Sequence, residues 1–229
     1  CYYMRTLAGD VTTAIDILSD MLTDPLFPVE ETHRERGVVL EEIKQRDDDP
    51  EDLVHDIFAE TLFPKHALGV PVIGRADVIA TAEPEHLRKL MAERYQGNRI
   101  TIALSGNVNH DLVVEQITGA MGHLGRGTAR TPLALPTVCT GRNYVSEDTE
   151  QVHFCLGQRG PSHHTDDRYA AMLLDCIIGG SMGSRLFQEI REKRGLAYSI
   201  GSYVQPYDEI GVTGAYGGSS MESFELCLD

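Results

Sequence analysis

Two hydrophobic periods alternate along this chain, and they do so in the same order twice. A strand displays its side chains with period 2 and a helix with period 3.6, so a run written for one does not settle as the other. In the first half "CYYMRTL" and "NRITIALSGNV" alternate, while "VTTAIDILSDML", "ERGVVLEEIKQR", "PEDLVHDIFAETLF" and "PEHLRKLMAERY" between them carry apolar residues at helical spacing. In the second half "EQVHFCLGQRG" alternates, "TDDRYAAMLLDCII" and "SRLFQEIREKR" read as helices, and "LAYSIGSYVQ" and "IGVTGAYGG" alternate again. Helices grouped apart from strands imply α+β construction. The expected architecture is two related α+β domains, each a mainly antiparallel sheet with helices packed on one face. They are placed at 1–128 and 143–229. The linker between them, 129–142, covers most of "GTARTPLALPTVCT", residues 127–140, where prolines and threonines interrupt any period. The chain opens without Met inside an alternating run and closes about two turns after Ser219 or Ser220, either of them a helix N-cap. The first domain is therefore expected to lack its opening part and the second to be incomplete.

At 229 residues and 41% hydrophobic, the chain has enough apolar surface for such cores. Its formal net charge of −15 speaks against nucleic acid or an anionic membrane surface as partner and favours cationic peptides. The five cysteines are scattered, with no C-x-x-C pair, and are expected to be buried free thiols. No apolar run reaches the 18 residues of a membrane span.

Glu35 and Glu42 stand seven residues apart in a helical run. At about 100° per residue they return to within about 20° of one face and lie about 10.5 Å apart along the axis. Val38 and Val39 fall between them on that stripe. If the stripe packs inward, each carboxylate needs a cation, a donor or a metal as partner. If the partner is a metal, the separation lets only one of the two reach it. The simpler reading is a solvated face on which Glu42 pairs with Arg46 at i,i+4. The acidic run Asp47–Asp49 reads as capping chemistry ahead of Pro50.

Other groups carry weaker signals. "GGSMGS" at 179–184 lacks the G-K-[ST] of a phosphate loop. "HHTDD" at 163–167 is simplest as Thr165 or Asp166 capping the next helix. His66 and His86 read as hydrogen-bonded structural histidines. Arg191 and Tyr198 flank the turn at Gly195, where a helix gives way to a strand, and such a pair can hold and polarise a carbonyl. Their bland reading is a surface arginine and a half-buried strand tyrosine.

Taken together, "CYYMRTL", "ERGVVLEEIK", "RYQGNRITIALSGNV" and above all "GGSMGSRLFQEIREKRGLAYSIGSYV" resemble the pitrilysin/insulinase metallopeptidases, in the branch of mitochondrial processing peptidase and its bacterial homologues. In that family an inverted H-x-x-E-H motif supplies two zinc ligands and a general base, and a downstream glutamate supplies the third ligand. The resemblance implies that Glu42 is that third ligand and Glu35 the assisting acid. It further implies that Arg191 and Tyr198 reach the substrate from the second domain. No H-x-x-E-H occurs in these residues; in the family it would precede Cys1. Zn2+ is accordingly expected only in the intact protein. There the implied activity is that of a zinc metalloendopeptidase cleaving peptides, basic ones in particular, in an enclosed chamber built as a homodimer or with a homologous subunit. The alternative is a non-catalytic subunit of the same fold serving as peptide-binding or scaffold partner. A soluble protein of the bacterial cytoplasm or periplasm is expected.

Overall fold

The computed structural model describes residues 1–129 and 134–229. In chain order the helices are α1 (Val11–Thr23), α2 (Val29–Asp47), α3 (Pro50–Leu62), α4 (Ala76–Ile79), α5 (Pro84–Arg94), α6 (His110–Met121), α7 (Asp167–Ile178) and α8 (Met221–Leu228). The strands are β1 (Val152–Gly160), β2 (Ala197–Pro206) and β3 (Gly211–Ser219). Residues 130–133, within the expected linker, lie outside the described residues. Contacts sort the chain into two compact units, Cys1–Val38 with Asp77–Pro132 and Val39–Ala76 with Leu133–Asp229, so the division falls inside α2.

The first unit is helical. Its α1 packs on α6, where the Gln116 amide donates to the Thr12 hydroxyl at 3.0 Å. The start of α2 is fastened to the start of α5. Arg36 donates to Glu83 and to the Ala82 carbonyl, each at 3.0 Å, and His33 Nε2 meets Glu83 at 2.8 Å. These bonds, that of His33 foremost, hold the Glu83 carboxyl below the usual carboxylate range. The two alternating runs expected to be strands, "CYYMRTL" and "NRITIALSGNV", form none among the described residues. Alternation provides a strand's side-chain pattern, but a strand also needs a neighbour for its N–H and C=O groups. With no such ladder, Tyr3, Leu7, Ile102 and Leu104 remain exposed.

The second unit is built on an antiparallel sheet of order β1-β3-β2. Alternation along these strands sends Phe154, Gly217 and Ile200 to one face and Cys155, Tyr216 and Gly201 to the other. On the first face Phe154, Ala197 and Ile200 pack with Ile190 and with Cys227 of α8. There α7 is tied to β2 through Ser202, whose hydroxyl donates to the Asp175 carboxylate at 2.5 Å. These are the helices expected on one face. The opposite face is covered by α3, from the first half of the sequence, whose Leu62 and the following Phe63 bury against Ile210 and Val212.

Local signals account for several element ends. The N–H of Glu51 donates to Asp49 Oδ1 at 2.9 Å, with Pro50 at the first helical position, so the acid run does cap α3. Ser220 caps α8, accepting from the Ser223 N–H at 3.2 Å. Asp166 stands at the N-cap of α7, but no side chain closes that cap. The expected Glu42–Arg46 pair is absent among the described contacts. Arg46 turns instead to Asp47, the next residue on its helix, at 2.8 Å, and to Asp56 of α3, so a contact to a second helix takes the place of the i,i+4 pair.

Gly157 shows how closely α3 seats. A Cβ there would lie 2.6 Å from the Phe58 ring and 2.8 Å from the Thr213 carbonyl oxygen. Gly157→Ala is expected to cost about 1–3 kcal/mol by overpacking, read as a lower urea midpoint at unchanged m-value. A variant as stable as the parent would show that Phe58 does not sit on Gly157. Burial under α3 pushes the Cys155 thiol and the Tyr203 and Tyr207 phenols up from their ordinary values. Their protons are held more tightly folded than unfolded, so this contribution is complete below the unfolded pKa values, about 8.5 for Cys and about 10 for Tyr. It is lost as pH rises above them, because the unfolded chain then binds fewer protons. Urea stability is expected to fall progressively from about pH 8.5 upward, and less steeply in a Tyr203→Phe variant; equal slopes would contradict this origin.

Candidate functional site

Arg191 and Tyr198 flank a turn whose two arms both depart from regular geometry. The helix that opens at Arg185 passes into a π-helix over Phe187–Lys193. It ends at Gly195, whose φ of +62° is a left-handed conformation that glycine adopts without penalty. The Leu196 N–H then donates to the Ile190 carbonyl at 2.9 Å, and that of Gly195 to Arg191 at 3.2 Å, so the helix end is closed by its own backbone. Ile190 and Leu196 both belong to the apolar cluster on the sheet, which anchors the turn.

The strand that follows is bulged at once. Ala197 pairs with Ser219 and Ser199 with Gly218, so Tyr198 is the extra residue. A bulge re-aims a side chain, and Tyr198 is 74% exposed despite its place in a strand. The half-buried tyrosine of the bland reading is thus replaced by a projecting one. Arg191 is exposed as well, its guanidinium carbon 5.0 Å from the centre of the Phe187 ring, a cation–π contact that holds it. Among the described residues no hydrogen bond joins Arg191 to Tyr198. A guanidinium with free donors and a projecting phenol are suited to a carbonyl or a developing oxyanion.

Glu35 and Glu42 lie on α2, and both are exposed, as is Val38. The stripe is therefore solvated rather than inward-facing. Neither carboxylate takes an ion pair or hydrogen bond among the described residues. A catalytic zinc takes three protein ligands. Among the described residues no three His, Cys, Asp or Glu side chains are grouped to hold a metal. The residues of this chain alone do not fit a catalytic zinc, and one exposed carboxylate does not alter that.

The remaining sequence candidates resolve into structure. His66 accepts from the Leu68 N–H at 3.2 Å and meets the Ala134 carbonyl at 3.0 Å. His86 accepts from the Glu83 N–H at 3.1 Å. In "GGSMGS", Gly179 packs against the backbone of Ser202, where a Cβ would collide. Among the described residues no helix is long and apolar enough to cross a membrane.

One cluster has no signal in the sequence. Cys155 Sγ lies 3.9 Å from His55 Nδ1 and 3.4 Å from the Tyr203 hydroxyl. The three come from β1, α3 and β2. Only the docking of α3 on the sheet brings them together, and no local spacing could have announced it.

Known proteins match this chain along its length. The family model described as Insulinase (Peptidase family M16) matches residues 1–76, and that described as Peptidase M16 inactive domain matches residues 81–228. An uncharacterized zinc protease of Streptomyces coelicolor is 42% identical over 95% of this chain and 49% of its own length. The uncharacterized zinc protease YmxG of Bacillus subtilis is 35% identical over 98% of this chain and 55% of its own. The chain thus spans about half the length of these relatives. In fold it is similar to the crystal structure of a peptidase M16 inactive domain from Pseudomonas fluorescens, with a TM-score of 0.88 at 22% identity over 96% of this chain and 55% of that one. A protease from Helicobacter pylori gives a TM-score of 0.84 at 20% identity over 96% and 56%. With both family models matched in order along it, the chain belongs to the insulinase family of peptidases, M16.

Proposed function

We propose that the intact protein is a zinc-dependent endopeptidase that cleaves peptides inside an enclosed chamber. The reading is supported by family membership and by relatives named as zinc proteases. The observation that carries it in this chain is the Arg191/Tyr198 corner. Both side chains project, both stand on irregular elements beside one glycine turn, and a buried cluster underlies them. Irregularities of this kind are frequent beside functional sites, where they re-aim a side chain.

In this reading Arg191 holds a carbonyl or carboxylate of the bound peptide by charge-assisted hydrogen bonds. The Tyr198 hydroxyl donates to the oxygen on which negative charge develops when the peptide bond is attacked. Glu42 is the single carboxylate that this chain contributes to the zinc, and Glu35 orients its surroundings. Domains 1–128 and 143–229, joined through 129–142, form one half of a chamber closed by a second copy or a homologous subunit. The net charge of −15 suits basic peptides. A bacterial cytoplasmic or periplasmic setting accompanies the reading.

A second reading, a non-catalytic peptide-binding or scaffold subunit, is favoured by one observation: the longer of the two family matches is to the inactive domain. Kinetics separate the two. In the full-length protein Arg191→Ala and Tyr198→Phe are each expected to lower kcat on a quenched basic peptide by about 100-fold, with zinc content and circular dichroism unchanged. An unchanged kcat removes the pair from the site, and a wild-type protein that binds the peptide without cleaving it supports the second reading.

A further inference from the structure

The end of the sheet that carries Tyr198 has a second feature, on the face opposite the Phe154–Ile200 cluster. Pairing sets His153 of β1 and Ser199 of β2 on either side of Gly218 in the central strand. Residues on one rung share a face, and here the middle position has no side chain. The two outer residues therefore flank a gap floored by glycine backbone.

Polar groups lean into this gap. Ser199 Oγ, Gln151 Oε1 and His153 Cε1 lie 3.0, 3.1 and 3.2 Å from the point where a Cβ on Gly218 would stand. All three residues are half-buried, so the rim stays open to solvent. Among the described residues no hydrogen bond is made by the Gln151 amide, the His153 ring or the Ser199 hydroxyl. Converging polar groups without a protein partner are left for water or a ligand. Ser199 directly follows Tyr198, the extra residue of the bulge, so the gap adjoins the candidate site.

The chemistry of the three selects the ligand. They include no carboxylate, lysine or arginine to balance an ion, and one imidazole beside an amide and a hydroxyl is not a catalytic or structural metal set. They do offer an acceptor in the Gln151 oxygen, a hydroxyl that donates or accepts, and a ring nitrogen. A main-chain peptide group presents the matching acceptor and donor. A glycine in a strand interior is also where another backbone can approach closely.

We propose that Gln151, His153 and Ser199 form a subsite that hydrogen-bonds one main-chain peptide group of the substrate over Gly218, an inference that rests on the peptidase reading.

The test uses the full-length protein and three quenched basic peptides of unrelated sequence. His153→Phe and Ser199→Ala are each expected to raise KM about 3–10-fold, with kcat, zinc content and circular dichroism unchanged. The rise is expected to be equal for the three peptides, because main chain is common to all. Ser199→Thr, which keeps the hydroxyl, is expected to restore the parent KM, and Gly218→Ala, whose methyl fills the gap, to raise it. An unchanged KM in either His153→Phe or Ser199→Ala, or a rise confined to one peptide, overturns the subsite; if Arg191→Ala still lowers kcat, the peptidase reading stands. Should a variant misfold, Gln151→Leu at the rim decides by the same comparison. If the wild-type protein binds the peptides without cleaving them, the peptidase reading fails and the same fold-changes are expected in Kd from fluorescence anisotropy of labelled peptides. A protein that neither cleaves nor binds them overturns both.

Discussion

The second unit depends on β3, which pairs along its whole length with β1 on one edge and β2 on the other. Every register in the sheet is measured against it. Its sequence, GVTGAYGGS, is rich in small residues, so the side chains of its neighbours and the helices on both faces can close over it. Gly217 receives the Phe154 ring and Ile200 on one face, and Gly214 receives Tyr203 on the other. Moving β3 by one residue would exchange these faces and expose both cores. The bulge at Tyr198 is likewise defined only by the β3 residues opposite it, so the aim of the candidate site follows from the pairing of this strand.

Much of this was legible in the sequence. The alternating runs "EQVHFCLGQRG", "LAYSIGSYVQ" and "IGVTGAYGG" became the three strands because each found a partner. Ser220 and the Asp49–Pro50 step, which cap by contacts within one turn, behaved as local chemistry requires. Gly195 ended its helix for the same reason. What failed depended on distant partners. "NRITIALSGNV" carries as good a strand pattern as any, yet has no neighbouring strand among the described residues. Arg46 left Glu42 for Asp56 because two helices met.

The site shows the same division. Type and spacing singled out Arg191, Tyr198, Glu35 and Glu42, and the family resemblance attached roles to them. The π-helix under Arg191 and the extra residue at Tyr198 are tertiary outcomes that no period in the sequence records. The Cys155–His55 pair lay further out of reach, since its members are close only because α3 crosses from the first half of the sequence to cover the sheet.

The exposure of Glu35 and Glu42 bears on how the family chemistry relates to this chain. Exposed carboxylates without partners cost little, so this helix is stable without a metal and gains nothing that obliges it to hold one. In the proposed reading, zinc is retained by ligands from outside these residues that join Glu42. The most direct test of the account is the zinc stoichiometry of a chain extended upstream to include an H-x-x-E-H segment, measured beside its Glu42→Gln variant. Zinc held by the parent and lost in the variant is the result expected; zinc held equally by both, or by neither, would contradict it.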